Sequence, residues 1–380
     1  MLVEKKPRAL IIGGSLGGLF AANSLLQSGW DVDVFERSPS ALDSRGGGIV
    51  LQPQVVAAIN NAGLGSASPL GVLSQERVYL DRHGEVLQSA FMPQTQTSWN
   101  TLYRRLVRGI PSERYHRGQR LTSFSQDGER ITARFEAGAI AEGDLLVGAD
   151  GPDSTVRSIL LPETSLSYSG YVVWRGLVPE RSVSPETAAA LTDKFVFQHD
   201  PESLMLQYLV PGEDGSTNPG ERRFNWLWYL KAAKGETLDA VLTDRQGVHR
   251  RHSVPPGMLA PAQERVFRDY AEANVNPAFR ELVEKTHEIF VQAIVDLAVP
   301  QMVFGRAILL GDAAFVPRPH TAGSTSKAAE NALSLGAALR ASPTDIDMAL
   351  RLWESDQLNV GRQMIEWGVR MGDRLMRAAA

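Results

Sequence analysis

Three stretches of the 380-residue sequence combine residue types and spacings that suit chemistry on a nucleotide cofactor. The first is Gly13-Gly14-Ser15-Leu16-Gly17-Gly18, directly after the apolar run Ala9–Ile12. Small residues there let backbone approach a pyrophosphate, and the free amides of a helix N-terminus bind it. Ser15 stands where the usual dinucleotide fingerprint has its second glycine; serine remains small and adds a hydroxyl donor. Glu36 closes the next apolar stretch, about 20 residues on, where a carboxylate accepts hydrogen bonds from ribose hydroxyls. A solvated strand-end acid is the plainer role for Glu36. The second stretch, Asp144–Arg157, contains Asp150-Gly151 and Ser154. The third, Arg306–Ala314, contains Gly311-Asp312 and leads into Pro317-Arg318-Pro319-His320. The glycine loop alone does not separate NAD from FAD.

Composition removes several other chemistries. The chain has no cysteine, which excludes disulfides, Fe–S clusters, thiolate zinc sites and a cysteine nucleophile. Its seven histidines form no HxxxH or HExxH pattern, so no metal site is expected. No G-x-S-x-G nucleophile elbow occurs. With 39 basic and 43 acidic residues the net charge is −4, without the basic footprint of a nucleic-acid binder. No apolar run reaches the ~20 residues of a membrane span, and glycines interrupt the one that follows Lys5, Lys6 and Arg8. A soluble, cytoplasmic protein is the expectation.

The elements that must position these residues are legible in outline. Ala9–Ile12 reads as a buried parallel strand, Leu19–Gln27 as a helix closed by Gly29, and Val32–Glu36 as a second strand. Together they make a βαβ unit. Residues 49–61 read as a strand edge and a short helix, 78–91 and 121–135 as hairpins, and Leu145–Val147 as another buried strand. Between about 168 and 292 aromatics and β-branched residues alternate, as in Tyr171–Leu177, Phe195–Gln198, Leu204–Val210 and Arg223–Tyr229. That stretch reads as a mostly antiparallel sheet inserted in the nucleotide-binding unit. The chain returns with the strand Ala307–Leu310, and helices follow over about 326–340 and 345–377.

With these three motifs in this order, the sequence resembles the group A flavoprotein aromatic hydroxylases over essentially its whole length. Glu36-Arg37-Ser38, Tyr171–Gly176 and Gly311–His320 are most similar to members that hydroxylate pyridine rings. The resemblance implies an α/β fold like that of p-hydroxybenzoate hydroxylase. Residues 1–167 and 293–345 would form a discontinuous Rossmann-type FAD-binding domain, 168–292 a β-rich substrate domain, and 346–380 a C-terminal helix. It implies bound FAD, NADH or NADPH as a transient co-substrate, and O2. Reduced FAD would trap O2 as a C4a-hydroperoxide, which an electron-rich aromatic or N-heteroaromatic ring attacks. The single fingerprint agrees, since members of this group have no second Rossmann domain for NAD(P)H.

Residue roles follow from the same resemblance. Gly13, Ser15, Leu16, Gly18, Glu36, Arg37, Arg45, Val50, Asp150, Asp312 and Gly323 fall at cofactor-binding positions. Asp312 would bond a sugar-chain hydroxyl of FAD, and a helix N-cap is its plainer role. Asp150 would brace the glycine loop, and Arg45 has an ordinary surface-loop arginine as its alternative. Pro319–Thr325 would pass beside the isoalloxazine. His320, Tyr208 and Pro319 are the catalytic candidates, with His320, at a near-neutral pKa, taking the ring hydroxyl's proton. A helix-capping histidine is the bland alternative. Tyr208, Trp226, Trp228 and His320 are the substrate-binding candidates, joined by Tyr229, although most strand aromatics are core. Two positions depart from the family: Phe315 replaces a common histidine, and Tyr103 replaces an arginine that touches FAD.

Two rival functions remain at this level: a flavin-dependent halogenase or reductase on the same fold, and a non-catalytic flavin-binding protein. Halogenases carry W-x-W-x-I-P, and Trp226-Leu-Trp228-Tyr-Leu lacks the proline. Trp353, Leu358, Met364, Ile365, Trp367, Met371 and Leu375 recur at roughly helical spacing. One face of that helix should pack on its own chain and the rest form a homodimer contact.

Overall fold

Ala9–Ile12 and Leu145–Gly148 show no polar alternation, and both become strands buried on two faces, as parallel strands are. In the computed structural model, which describes residues 6–42, 47–65 and 68–377, β1 (Arg8–Ile12) lies inside a six-stranded sheet. On one side are β2 (Asp31–Glu36) and β6 (Tyr115–Arg117). On the other are β10 (Leu145–Gly148), β18 (Ala307–Leu309) and β17 (Val303–Phe304). All these pairings are parallel except β17 with β18. Helix α1 (Leu16–Gln27) links β1 to β2 and packs on α9 (Ser324–Ala341). Short helices α2 (Pro53–Asn61) and α3 (Trp99–Val107) complete that layer, and α4 (Thr155–Leu160) is N-capped by Ser154, whose Oγ accepts from Arg157 N.

The alternating segments form a second, ten-stranded sheet. Its strands are β3 (Gly48–Val50), β4 (Val72–Leu80), β5 (Val86–Ser98), β11 (Ser167–Pro179), β12 (Lys194–Asp200), β13 (Ser203–Val210), β14 (Arg223–Lys231), β15 (Ser253–Val254) and β16 (Phe290–Ala298). β19 (Phe315–Val316) attaches to β16. Strand order is β15-β16-β11-β14-β13-β12-β4-β5-β3, antiparallel throughout except β12 with β4. β3, β4 and β5, which fall in the stretch expected to belong to the nucleotide-binding unit, therefore share a sheet with the middle of the chain. A separate three-stranded meander holds β7 (Leu121–Asp127), β8 (Arg130–Phe135) and β9 (Ile140–Gly143).

Helices absent from the sequence reading cover one face of the large sheet. They are α5 (Pro185–Leu191), α6 (Glu236–Leu242), α7 (Pro261–Asn274) and α8 (Pro277–Lys285). Helix α7 buries only Phe267 and Ala271, so its apolar period is too sparse to read. Phe267 nonetheless stacks on Trp174 at 4.2 Å and lies 6.1 Å from Trp226. The opposite, concave face of the sheet is left open toward the parallel sheet. Helix α10 (Ile346–Leu375) begins at Asp345, which caps Met348 N, and packs Trp353 against α9 through a hydrogen bond from Trp353 Nε1 to Asn331 O.

Candidate active site

Two cavities meet between the sheets. The first, about 560 Å³, opens at the C-terminal ends of β1, β2, β10 and β18, where open α/β sheets bind nucleotides. Gly13 turns there with φ +109°, and an added Cβ would lie 2.4 Å from the Ala149 carbonyl oxygen, so backbone alone fits. Ser15 forms no side-chain cap on α1, which leaves the first-turn amides facing the cleft. Glu36, only 6% exposed, is fixed by Gly14 N and Ser38 N, each donating at 2.8 Å. Each of its oxygens keeps a lone pair for a further donor. Leu16, exposed Arg37, Asp150 and Asp312 line the same cleft. Asp150 accepts from Ser154 Oγ, Thr155 N and Val156 N, which ties the Asp-Gly turn to α4, while burial pushes its carboxyl above the usual range. Asp312 Oδ1 accepts from Ser324 Oγ at 2.6 Å and from Lys327 Nζ at 3.2 Å.

The second cavity, about 470 Å³, lies over the concave face of the large sheet. Strand register builds it in rows. Arg175 pairs with Leu227, Leu227 with Leu206, Leu206 with Phe197 and Phe197 with Tyr79. One pleat along, Val173 pairs with Tyr229, Tyr229 with Leu204 and Leu204 with His199. Tyr208 lies on the same side, 4% exposed, and burial pushes its phenol up to about 12. The cavities share Gly48, Ile49, Arg175, Ser324 and Thr325, so whatever occupies one borders the other.

The segment after Asp312 closes the second cavity. Arg318, 6% exposed, anchors it through Asp296 at 2.9 Å and Asp373 at 2.7 Å. Pro319, His320 and Gly323 then line the cavity. His320 Nε2 lies 3.1 Å from Tyr171 Oη, and its ring packs 4.4 Å from that of Tyr229. Burial, with Arg318 nearby, pulls the His320 pKa down to about 4, not to the near-neutral value expected from sequence. The imidazole is therefore neutral across the physiological range.

Several sequence assignments need correction. Trp226 and Trp228 turn away from the cavity: Trp226 Nε1 donates to Thr286 Oγ1 and Trp228 Nε1 to Ser203 Oγ, both at 2.8 Å. Period-two alternation put both on one face, and α7 and α8 cover that face. Gly18 does not line the cofactor cleft; an added Cβ would collide with Gly13 O, so it serves close packing of α1 on the glycine loop. Val50 and Gly323 line the second cavity and not the first. Arg45 lies outside the described residues. Tyr103 is 2% exposed and reaches the glycine loop only through Tyr115, at 3.4 Å between hydroxyls, with Tyr115 Oη donating to Gly14 O at 2.9 Å.

Ser324 and Thr325, within the segment expected beside the isoalloxazine, line both cavities, whereas sequence reasoning missed Arg175, Gln292 and Lys327. Arg175 was detectable as the charged residue in an otherwise apolar strand, with Nη1 donating to Gln292 Oε1 at 3.2 Å. Lys327, wholly buried and donating to Asp312 and the Phe315 carbonyl, gave no signal among the alanines of α9. Among the described residues no cluster of ligating side chains could hold a metal.

Comparison with known proteins agrees with this geometry. Residues 168–296 match the FAD binding domain-like family. The chain is 36% identical over 369 residues to 2,6-dihydroxypyridine 3-monooxygenase of Paenarthrobacter nicotinovorans, covering 97% of this chain and 91% of that one. It is 26% identical to 6-hydroxynicotinate 3-monooxygenase of Pseudomonas fluorescens, over 93% and 88% of the two chains. The solved structure of 2,6-dihydroxypyridine-3-hydroxylase from Arthrobacter nicotinovorans superposes with a TM-score of 0.92 at 34% identity, covering 98% of this chain and 93% of that one.

Proposed function

Because the chain belongs to the FAD-dependent aromatic-ring hydroxylases, we propose that it uses NADH or NADPH and O2 to hydroxylate a small hydroxypyridine-like ring. The observation that carries this reading is the junction of the cofactor cleft with an aromatic-walled cavity at Gly48, Ile49, Arg175, Ser324 and Thr325. The cleft residues fit FAD: a backbone-only cradle at Gly13, an uncapped helix N-terminus, and carboxylates at Glu36 and Asp312 for sugar hydroxyls. Bound FAD, reduced by NAD(P)H, supplies the activated oxygen. The protein's own share is to hold the ring among Tyr208, Tyr229, Leu204 and Leu206, keep water out, and raise the ring's electron density. Neutral His320, backed by Tyr171, takes the ring hydroxyl's proton as the ring carbon attacks the activated oxygen.

The test is to follow NAD(P)H oxidation by the purified holoenzyme with and without hydroxypyridines, hydroxynicotinates and hydroxybenzoates. A hydroxypyridine should stimulate oxidation and appear as a hydroxylated product in matching amount. Oxidation that no ring stimulates would overturn the reading in favour of a non-catalytic flavoprotein.

Assembly and location belong to the same proposal. Met348, Leu352, Val360 and Trp367 form an exposed apolar stripe along α10, at 43%, 60%, 39% and 44% exposure, which supports a two-fold contact. Light scattering at micromolar concentration should give twice the 41.5 kDa chain mass, and a strict monomer would reject the dimer. No helix among the described residues is long and apolar enough to cross a membrane. The cytoplasm, where NAD(P)H is supplied, is the proposed setting.

A further inference from the structure

The second cavity is also lined, away from the residues it shares with the cofactor cleft, by a guanidinium whose Nε has no hydrogen-bond partner among the described residues. It belongs to Arg77 on β4. Its cross-strand partner is Phe195, and its guanidinium carbon sits 5.5 Å from the Phe195 ring centroid and 5.2 Å from that of Phe197. Arg77 Nε is buried with no hydrogen-bond partner, and among the described residues the side chain forms no ion pair. Among the described residues no aspartate or glutamate lines the cavity, whereas Arg77, Arg175 and Arg374 all do.

A half-buried guanidinium lying over two aromatic rings is weakly hydrated, and its planar fork of donors matches a carboxylate or an ionised ring oxygen. An acid-free wall focuses positive potential into a cavity of low dielectric, where such a contact discriminates strongly. We propose that Arg77 is an anion subsite that selects rings carrying a negatively charged oxygen remote from the carbon to be hydroxylated. This inference rests on the hydroxylase reading and names its substrate class. A ring bound at Arg77 lies in the cavity that Ser324 and Thr325 also line, which restricts the edge it presents to the cofactor cleft.

Binding is read without turnover, from perturbation of the flavin absorbance of the oxidised holoenzyme. Two matched pairs serve as probes: 6-hydroxynicotinate with 6-hydroxynicotinamide, and 2,6-dihydroxypyridine with 2-hydroxypyridine. The wild type should prefer the charged member of at least one pair; the first pair reports a carboxylate, the second a ring oxyanion. Arg77→Met should weaken that charged ligand by roughly 10- to 100-fold and shift its neutral counterpart by no more than about threefold. Arg77→Lys should recover part of the preference. Equal losses for charged and neutral rings, or no loss at all, would overturn the assignment. So would a wild type that binds both members of each pair alike, and that result leaves the hydroxylase reading standing. A wild type that neither binds any of the four rings nor oxidises NAD(P)H faster in their presence overturns the hydroxylase reading itself.

Discussion

Asp312→Ala is expected to purify with little or no flavin. Asp312 lines the cofactor cleft with its side chain 39% exposed, while its Oδ1 is held by Ser324 and Lys327. A cofactor hydroxyl left without its acceptor costs about 1–3 kcal/mol, or roughly 5- to 150-fold in FAD affinity. A second loss arises in the apoprotein. Lys327 is fully buried, and burial already pulls its ammonium below the usual lysine range. Without Asp312 its charge keeps only the Phe315 carbonyl, and stranding a buried charge typically costs ~3–5 kcal/mol. Urea unfolding of the apoprotein and FAD titration therefore report separate effects. Asp312→Asn, which retains an acceptor but not the charge, should recover part of the affinity. Adding Lys327→Met to Asp312→Ala should restore stability and not flavin binding. An Asp312→Ala protein that holds FAD as tightly as wild type would sink the assignment.

The sequence and structure diverge in a way that follows from what each residue encodes. Apolar runs such as Ala9–Ile12 and Leu145–Gly148 have one stable environment, so the parallel sheet and its glycine loop were legible without a partner in view. Alternation in Arg223–Lys231 correctly divides Trp226 and Trp228 from Leu227 and Tyr229, but parity does not say which set meets the cavity. That choice is made by the packing of α7 and α8 on the sheet, a tertiary arrangement that strand parity does not carry. Lys327 illustrates a different limit. A lysine in a small-residue helix reads as solvated, and only the packing of α9 over Asp312 and Phe315 turns it into a buried cation. The His320 pKa is likewise a tertiary property, set by the aromatic walls and by Arg318 held against Asp296.

His320→Ala is expected to keep its FAD, because His320 lines the second cavity and not the cofactor cleft. It should also accept electrons from NAD(P)H and yet divert most of them to hydrogen peroxide. The imidazole makes no cap for α9, which has no side-chain N-cap at all; it bonds Tyr171 Oη at 3.1 Å and packs on Tyr229. A positioned base typically contributes ~10²–10⁴-fold to the step it serves, so product formed per NAD(P)H consumed should collapse. With a pKa of about 4, His320 stays competent down to about one pH unit above that value, and its share of the wild-type kcat/KM should be lost on an acid limb centred near pH 4. The limb should vanish in His320→Ala, together with most of the hydroxylation. Stability supplies an independent check. The folded-state pKa of about 4 lies below the ordinary histidine value of 6.5, so the unfolded chain binds more protons between those values. Stability is therefore lost as pH falls through that window, by at most about 3.5 kcal/mol, since each unit corresponds to roughly 1.4 kcal/mol. His320→Gln should remove this share of the acid-side slope in urea unfolding. Tyr171→Phe should reproduce part of the uncoupling, because it removes the partner that holds the ring. Wild-type yield of product per NAD(P)H in His320→Ala would show that the ring's hydroxyl loses its proton elsewhere.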